Sequence, residues 1–456
     1  METPQRDIPP VHRFTTDPAV AAYDALIGRA NVRSRIQAIL EEARTSAGSG
    51  NRIPTFEALR SAMLAQLAAS QLSDLVSVIN GTGVLLHTNF GRAPLAASAL
   101  ANASELGAGY TNLEYDLEQG KRGSRYERVG MQLRELSGAQ AALVVNNCAA
   151  AILLVLDTFA HGREVVVSRG QLIEIGGGFR LPDVLRKSGA KLVEVGSTNK
   201  TYPHDYRNGW SAATAMFMRS HPSNYRIEGF TADVDSKTVA ALANEMGVIS
   251  FEDLGSGAFV NFEDFGLPHE PTVAEEIAAG FDLVAVSGDK LLGGPQCGII
   301  CGNADLVETM KRNPLLRALR VDKLTLAALS ATLRLYLEPN RLHEIPLFAM
   351  LQTSTTELRE RAVALCDATR AAVHLEPCDT EATTGGGTLP LARIPSVGIA
   401  VSAATHKPDQ IAERLRKHVP PVVGRVEETA LVIDLRTVLP KEDRALAHAL
   451  GSLSSE

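Results

Sequence analysis

Residues 282–295 read DLVAVSGDKLLGGP, and this stretch decides the fold. Asp282–Val286 reads as a strand, and its Leu283–Val286 part is apolar without alternation, the pattern of a strand buried on both faces of a parallel sheet. The run stops at Ser287-Gly288-Asp289-Lys290, followed by Gly293-Gly294. A lysine just past a buried strand, flanked by glycines that let another group approach the backbone, is placed to act as a Schiff-base nucleophile. Taken alone it is a weak signal, because most loop lysines are merely solvated.

Working outward, six more short runs read as strands, several of them rich in Val and Ile: Ala141–Val145, Glu164–Val167, Lys191–Val195, Ala215–Met218, Val248–Glu252 and Cys297–Cys301. They alternate with helical patterns between residues 73 and 335, which predicts an α/β large domain built on a mainly parallel, seven-stranded sheet. In such sheets the chemistry gathers at the carboxyl ends of the strands. One of those ends is Asp253, followed by Leu-Gly-Ser-Gly, where a carboxylate could hold a pyridinium nitrogen protonated. A helix or turn cap explains a lone aspartate equally well. Another end is Asn146-Asn147-Cys148, leading into a helix whose free N–H groups and dipole suit a phosphate. An ordinary N-cap explains that feature alone, and Cys148 reads as a small residue rather than a nucleophile. Phosphate cradle, acid and lysine in this chain order, each ending a different strand of one sheet, resemble the fold-type I pyridoxal-phosphate enzymes. That resemblance assigns Asn146, Asn147, Cys148, Asp253, Ser287 and Lys290 to pyridoxal 5′-phosphate, with Lys290 catalytic as the Schiff-base lysine and as the base at Cα.

The flanks read differently. Residues 1–72 are predicted to form a helical N-terminal domain, with one stripe at Val32, Ile36, Ile39 and Leu40 and another at Phe56, Leu59, Met63 and Leu67. Thr45–Asn51 is read as a flexible connector between them. This segment has eight arginines and no lysine, a composition suited to phosphate recognition but equally ordinary on a solvated helical surface. Residues 336–456 begin with a long helical stretch and then suggest a small α+β domain, with strands Val397–Ser402 and Leu431–Leu435 around a helix near Pro408–His418.

Composition bounds the function. A chain of 456 residues, 45% hydrophobic and 21% charged, is globular, and its net charge of -7 exerts no global pull on nucleic acid. Its longest apolar run, Ala149–Leu156, falls far short of the roughly 20 residues that span a membrane. No secretion signal is legible at the N-terminus, so a cytoplasmic location is expected. Five cysteines without a C-x-x-C argue against a disulfide framework and a cysteine zinc site, and no metal is expected.

Several segments resemble the family of bacterial selenocysteine synthases, the L-seryl-tRNA(Sec) selenium transferases. They are INGTGVLLHTNFGRAPL (79–95), NLEYDLEQGKRGSRY (112–126), VVSRGQLIEIGGGFRLPDV (166–184), SNYRIEGFT (223–231), DLGSG (253–257), SGDKLLGGPQCGII (287–300) and RALRVDKLTLAAL (317–329), with a weaker match in TTGGGTLP (383–390). Cys148 stands where the family has asparagine, and Gln171 where it has glutamate. The resemblance implies dehydration of seryl-tRNA(Sec) to aminoacrylyl-tRNA, followed by addition of selenium from selenophosphate. It places Arg92, Arg317 and Arg320 around selenophosphate, a small anion suited to several guanidinium groups. It also makes Arg125 an active-site residue, either binding substrate or pairing with Asp289. It further implies a tRNA-binding role for residues 1–72 and a homo-oligomer, a decameric ring of dimers. Two competing readings remain: a fold-type I lyase acting on a free amino acid or amino sugar acid, and a catalytically silent tRNA-binding scaffold.

Overall fold

The computed structural model describes residues 8–48, 52–69, 75–176, 178–338, 340–369, 373–404 and 406–453. The chain forms two compact units, residues 1–77 and 78–456.

The first unit is helical. Helices Arg29–Gly48 and Phe56–Ala69 bury Val32, Ile36, Leu40, Met63 and Leu67 together with Phe14 from a shorter helix, Val11–Thr15. Thr45–Gly48, expected in a connector, instead completes the long helix, because Ala43 and Ala47 continue its buried stripe. Residues 49–51 lie outside the described residues. Three of the arginines are engaged inside this unit: Arg60 donates to Asp17 (2.6 Å), Arg44 to Glu41 (2.8 Å), and Arg13 lies 4.0 Å over the Phe56 ring.

The second unit contains a seven-stranded sheet. Its strands are β1 (Ala141–Val145), β2 (Glu164–Ser168), β3 (Lys191–Val195), β4 (Thr214–Ser220), β5 (Ile249–Gly255), β6 (Leu283–Ser287) and β7 (Gly298–Gly302), in the spatial order β1-β7-β6-β5-β4-β2-β3. Only β7 runs antiparallel to its neighbours. It is sandwiched between β6 and β1, so two reversals leave β1 pointing the same way as β5 and β6. The carboxyl ends of these three strands therefore share one edge of the sheet.

A second sheet of five strands takes Ile79–Gly81, Val422–Val426, Leu431–Asp434, Ile394–Ser402 and His374–Ala382 in that order. The two strands expected in the C-terminal region are both present, and helix Pro408–Arg416 packs on them. Ile79–Gly81, expected in the large domain, instead pairs parallel to Val422–Gly424 at the edge of this small sheet. The helical stretch expected after residue 336 is interrupted: helix Lys323–Leu337 ends there, and two more follow, Pro346–Gln352 and Thr355–Ala368. Pro346 starts the second at a position where its missing N–H costs nothing.

The loop after β5 locks onto the lysine loop. Leu291 N–H donates to Ser256 O (3.0 Å), and Gly257 sits at φ +79 with space so tight that a Cβ would fall 2.3 Å from Ser287 O. Gly257→Ala is expected to destabilise the unit by about 2 kcal/mol or more, from left-handed strain plus the clash. A denaturant midpoint equal to the wild type would show that the Ser287 carbonyl yields freely.

Candidate active site

The three strand ends converge on a cavity of about 150 Å³ whose walls include Asn147, Cys148, Asp253, Ser287, Lys290 and Arg92. Lys290 follows β6 directly and is 5% exposed. Its Nζ donates to Gly387 O at 3.2 Å, and burial holds the amine below the usual lysine range. Gly387 comes from the TTGGG segment, brought in because Leu85 and Leu86 N–H groups donate to Thr383 O and Thr384 O (2.9 Å each). A Cβ on Gly387, which sits at φ +84, would lie 2.8 Å from Lys290 Nζ, so glycine keeps the space at the amine open.

Asp253 ends the apolar part of β5 in register with Ser220 of β4, while Glu252 pairs with Arg219. Because side chains alternate across a strand, Ser220 and Asp253 share the cavity face. Ser220 Oγ donates to Asp253 Oδ2 (3.4 Å), and the Cys148 thiol lies 3.8 Å from Oδ1. Burial pushes the Asp253 carboxyl up to about 6, opposed first by the charge of Lys290. Arg219 and Glu252 meet on the other face at 3.2 Å, with Glu276 at 3.8 Å from Arg219.

At the end of β1, Asn147 caps helix Cys148–Phe159, its Oδ1 accepting from Ala150 N–H at 2.8 Å. The helix N-terminus thus opens into the cavity through Asn147, Cys148 and Ala149. Burial, reinforced by the Asp253 charge, drives the Cys148 thiol well above its ordinary range, so it stays protonated as a weak donor to Asp253. Asn146 is not on the cavity wall. Its N–H donates to Leu319 O (2.9 Å), tying β1 to the segment that carries Arg317 and Arg320.

The four arginines separate. Arg92 reaches the cavity from a backbone at φ +64, its Nε 3.5 Å from Asp289 Oδ2 and its Nη1 buried without a hydrogen-bond partner. Arg125 does not pair with Asp289. Glu114 takes its guanidinium, with Nε at 2.7 Å, and Val321 O accepts from Nη1 at 2.8 Å. Arg320 Nη1 lies 3.8 Å from the same Glu114, whose carboxyl is held below the usual range by Arg125. Arg317 is exposed on the short helix Leu315–Leu319. Within one chain, then, Arg92 alone of the three expected anion ligands lines the Lys290 cavity.

Three participants were absent from the sequence reading. Gly387 lay in a segment noted only as a family match. Glu114 carried a signal in its motif, an acid followed by three basic residues at 121, 122 and 125. His221 was missed because β4 was ended at Met218. It lines the cavity, donates its N–H to Asp253 O (3.0 Å), and sets Nε2 3.3 Å from Glu270 Oε1. Among the described residues no cluster of His, Cys, Asp and Glu could hold a metal.

The residue set fits pyridoxal phosphate: a buried amine in space a Cβ would fill, a buried carboxylate beside it and an open helix N-terminus. Comparison with known proteins bears on the fold and the family. The solved structure of D-glucosaminate-6-phosphate ammonia-lyase matches with a TM-score of 0.60 at 18% identity, over 83% of this chain and 96% of that one. At that identity the match speaks for the fold, and it agrees with the fold-type I architecture expected from the order of cradle, acid and lysine. Three L-seryl-tRNA(Sec) selenium transferases are similar over most of their length. That of Moorella thermoacetica is 51% identical, covering 83% of this chain and 82% of its own. That of Hyphomonas neptunium is 45% identical, over 98% of both chains. The protein from Caldanaerobacter subterraneus subsp. tengcongensis is 41% identical, over 100% of this chain and 99% of its own. Residues 78–439, which carry every strand end described above, match the family model for L-seryl-tRNA selenium transferase. With that span and those identities, the chain belongs to the L-seryl-tRNA(Sec) selenium transferase family.

Proposed function

We propose that this chain converts seryl-tRNA(Sec) to selenocysteinyl-tRNA(Sec), losing the β-hydroxyl of the esterified serine as water and adding selenium from selenophosphate, whose phosphoryl group passes to water as phosphate, with pyridoxal 5′-phosphate as cofactor. The convergence of Lys290, Asp253, the Asn147–Cys148 helix N-terminus and Arg92 on one cavity carries this reading. Pyridoxal phosphate, when bound, supplies an electron sink for the bond broken at Cα. Asp253 would hold the ring nitrogen protonated, and the helix N-terminus with Ser287 would hold the phosphate. Lys290 would hold the cofactor through Nζ and, once the seryl amino group has displaced it there, the freed amine would take the Cα proton, a task suited to an amine that burial keeps more readily neutral. The free Nη1 of Arg92 binds selenophosphate. Arg317 and Arg320 join it in a homo-oligomer, here proposed as a decameric ring of dimers, in which one chain supplies them to another's cavity. Arg125, fixed by Glu114, positions this segment. The helical unit is proposed to bind the tRNA. No described helix is long and apolar enough to cross a membrane, and a cytoplasmic location is proposed.

The decisive experiment supplies the cofactor-loaded protein with seryl-tRNA(Sec) and radiolabelled selenophosphate. Labelled selenocysteinyl-tRNA is expected, with no turnover of free serine. Turnover of free serine without labelled tRNA would replace this reading with a free-amino-acid lyase.

A further inference from the structure

A second cavity, of about 380 Å³, adjoins the first, because His221 lines both. Its size lies within the range of small-ligand sites. One wall is built from the Ser223–Thr231 segment, which the reaction described above does not use. Tyr225, Ile227 and Leu391 give it apolar surface, and Asn199, Lys200 and Arg226 give it donors. Tyr225 is anchored by its hydroxyl, which donates to Gly170 O. The mouth is unusually apolar for solvent-exposed surface: Phe230, between the lining residues Ile227 and Thr231, is 90% exposed, and Leu391 is 54% exposed. Asn199 Nδ2 fixes the Phe230 backbone by donating to its carbonyl at 2.7 Å.

Three features indicate what fits there. First, Glu270 lines the cavity and is 2% exposed, yet its Oε1 makes no hydrogen bond even with His221 Nε2 at 3.3 Å. A buried acceptor left free calls for a donor from a ligand, such as a ribose hydroxyl or a base amine. Second, among the described residues Arg226 is held only by Glu228, at 3.4 Å in an exposed pair of little worth, and can exchange that partner for a phosphate. Third, an exposed aromatic ring beside a half-apolar cleft, whose Lys200 and Arg226 are balanced by the carboxylates of Asp233 and Glu270, offers a stacking surface of the kind that grips the bases of single-stranded nucleic acid.

We propose that this cavity takes the 3′-terminal nucleoside of the aminoacylated RNA and that Phe230 stacks the base preceding it. The inference rests on the seryl-tRNA(Sec) reading, since an amino acid esterified to the terminal ribose and held at Lys290 must place that nucleoside in the neighbouring space. Glu270 then accepts from the nucleoside, while Lys200 and Arg226 face the backbone phosphates.

The test measures binding of uncharged tRNA(Sec), intact and lacking its 3′-terminal nucleoside, to the cofactor-loaded protein, with selenium transfer by the wild type assayed alongside. For the wild type, removing the nucleoside is expected to weaken binding about fivefold or more, the equivalent of ~1 kcal/mol per stacked base. Ile227→Glu, which sets a carboxylate in the cavity wall, is expected to bind both RNAs equally. Leu391→Glu gives the same readout should Ile227→Glu fail to load cofactor. Phe230→Ala is expected to weaken both RNAs and Phe230→Tyr to restore them. If the wild type transfers selenium but the wall variants keep the full dependence on the terminal nucleoside, the cavity assignment alone is overturned. If the wild type transfers none, the reading of the function falls first and takes the cavity assignment with it.

Discussion

Lys290→Ala is expected to lower selenium transfer by about 10³-fold or more while leaving the chain folded, because the positioned proton carrier is lost together with the covalent anchor. Lys290 is 5% exposed, and its amine has one neutral partner, Gly387 O at 3.2 Å. Carboxylates stand nearby at Asp253 and Asp289, but neither forms an ion pair with Nζ, and burial outweighs their pull to leave the amine below its ordinary range. Nothing in the fold therefore depends on the charge of this lysine. Its replacement leaves a small void lined by Gly387 and Gly255, costing modest stability. The measurement is borohydride reduction of the protein loaded with pyridoxal phosphate, followed by peptide mass analysis. The wild type is expected to fix the cofactor on Lys290 and the variant to fix none. A lysine-fixed cofactor in Lys290→Ala would show that another amine is the nucleophile.

Most strands of the large sheet are legible because both their faces are covered and their runs are largely apolar, while the edge strand Lys191–Val195 is half-exposed and is read from Leu192, Val193 and Val195. The misreadings sit at their carboxyl ends. The sequence pattern stops β4 at Met218 and β5 at Glu252, whereas the strands continue to Ser220 and Gly255. Arg219, Ser220 and Asp253 break the apolar pattern, yet they are buried and partnered across the two strands. Pattern reading loses a strand where the site begins, since the polar residues that the chemistry needs imitate a loop. His221 was lost for that reason. The small sheet failed differently: Ile79–Gly81 is too short to show a period, and His374–Ala382 is an edge strand with proline and charges on its open side. The arginines were legible as types but not as partners. That Glu114 rather than Asp289 holds Arg125 depends on the hairpin Tyr115–Arg122 folding back, a tertiary fact.

Asp253→Asn is expected to move stability and activity in opposite directions. In the cofactor-free chain burial raises the Asp253 carboxyl from 3.8 to about 6. The folded chain therefore binds this proton more tightly than the unfolded chain does. Between pH 3.8 and about 6 its contribution falls as pH rises, and above about 6 the buried charge costs its full amount. Two pKa units correspond to about 3 kcal/mol at most, and the Ser220 and Cys148 donors reduce what asparagine recovers. Cofactor-free Asp253→Asn is thus expected to be more stable than the wild type by about 1–3 kcal/mol at mildly alkaline pH, the gain shrinking as pH falls toward 4. Loaded with pyridoxal phosphate and supplied with seryl-tRNA(Sec), the same variant is expected to lose about 10²-fold or more in transfer, because a neutral amide cannot stabilise the protonated ring nitrogen. Paired unfolding curves at the two pH values, with the transfer assay, test both halves. A variant less stable than the wild type at alkaline pH would mean that hydrogen bonds rather than charge dominate at Asp253. A carboxylate that weakens its own fold until a cation arrives beside it is placed for that cation, and the energy it withholds from stability is what it returns when the ring nitrogen is protonated.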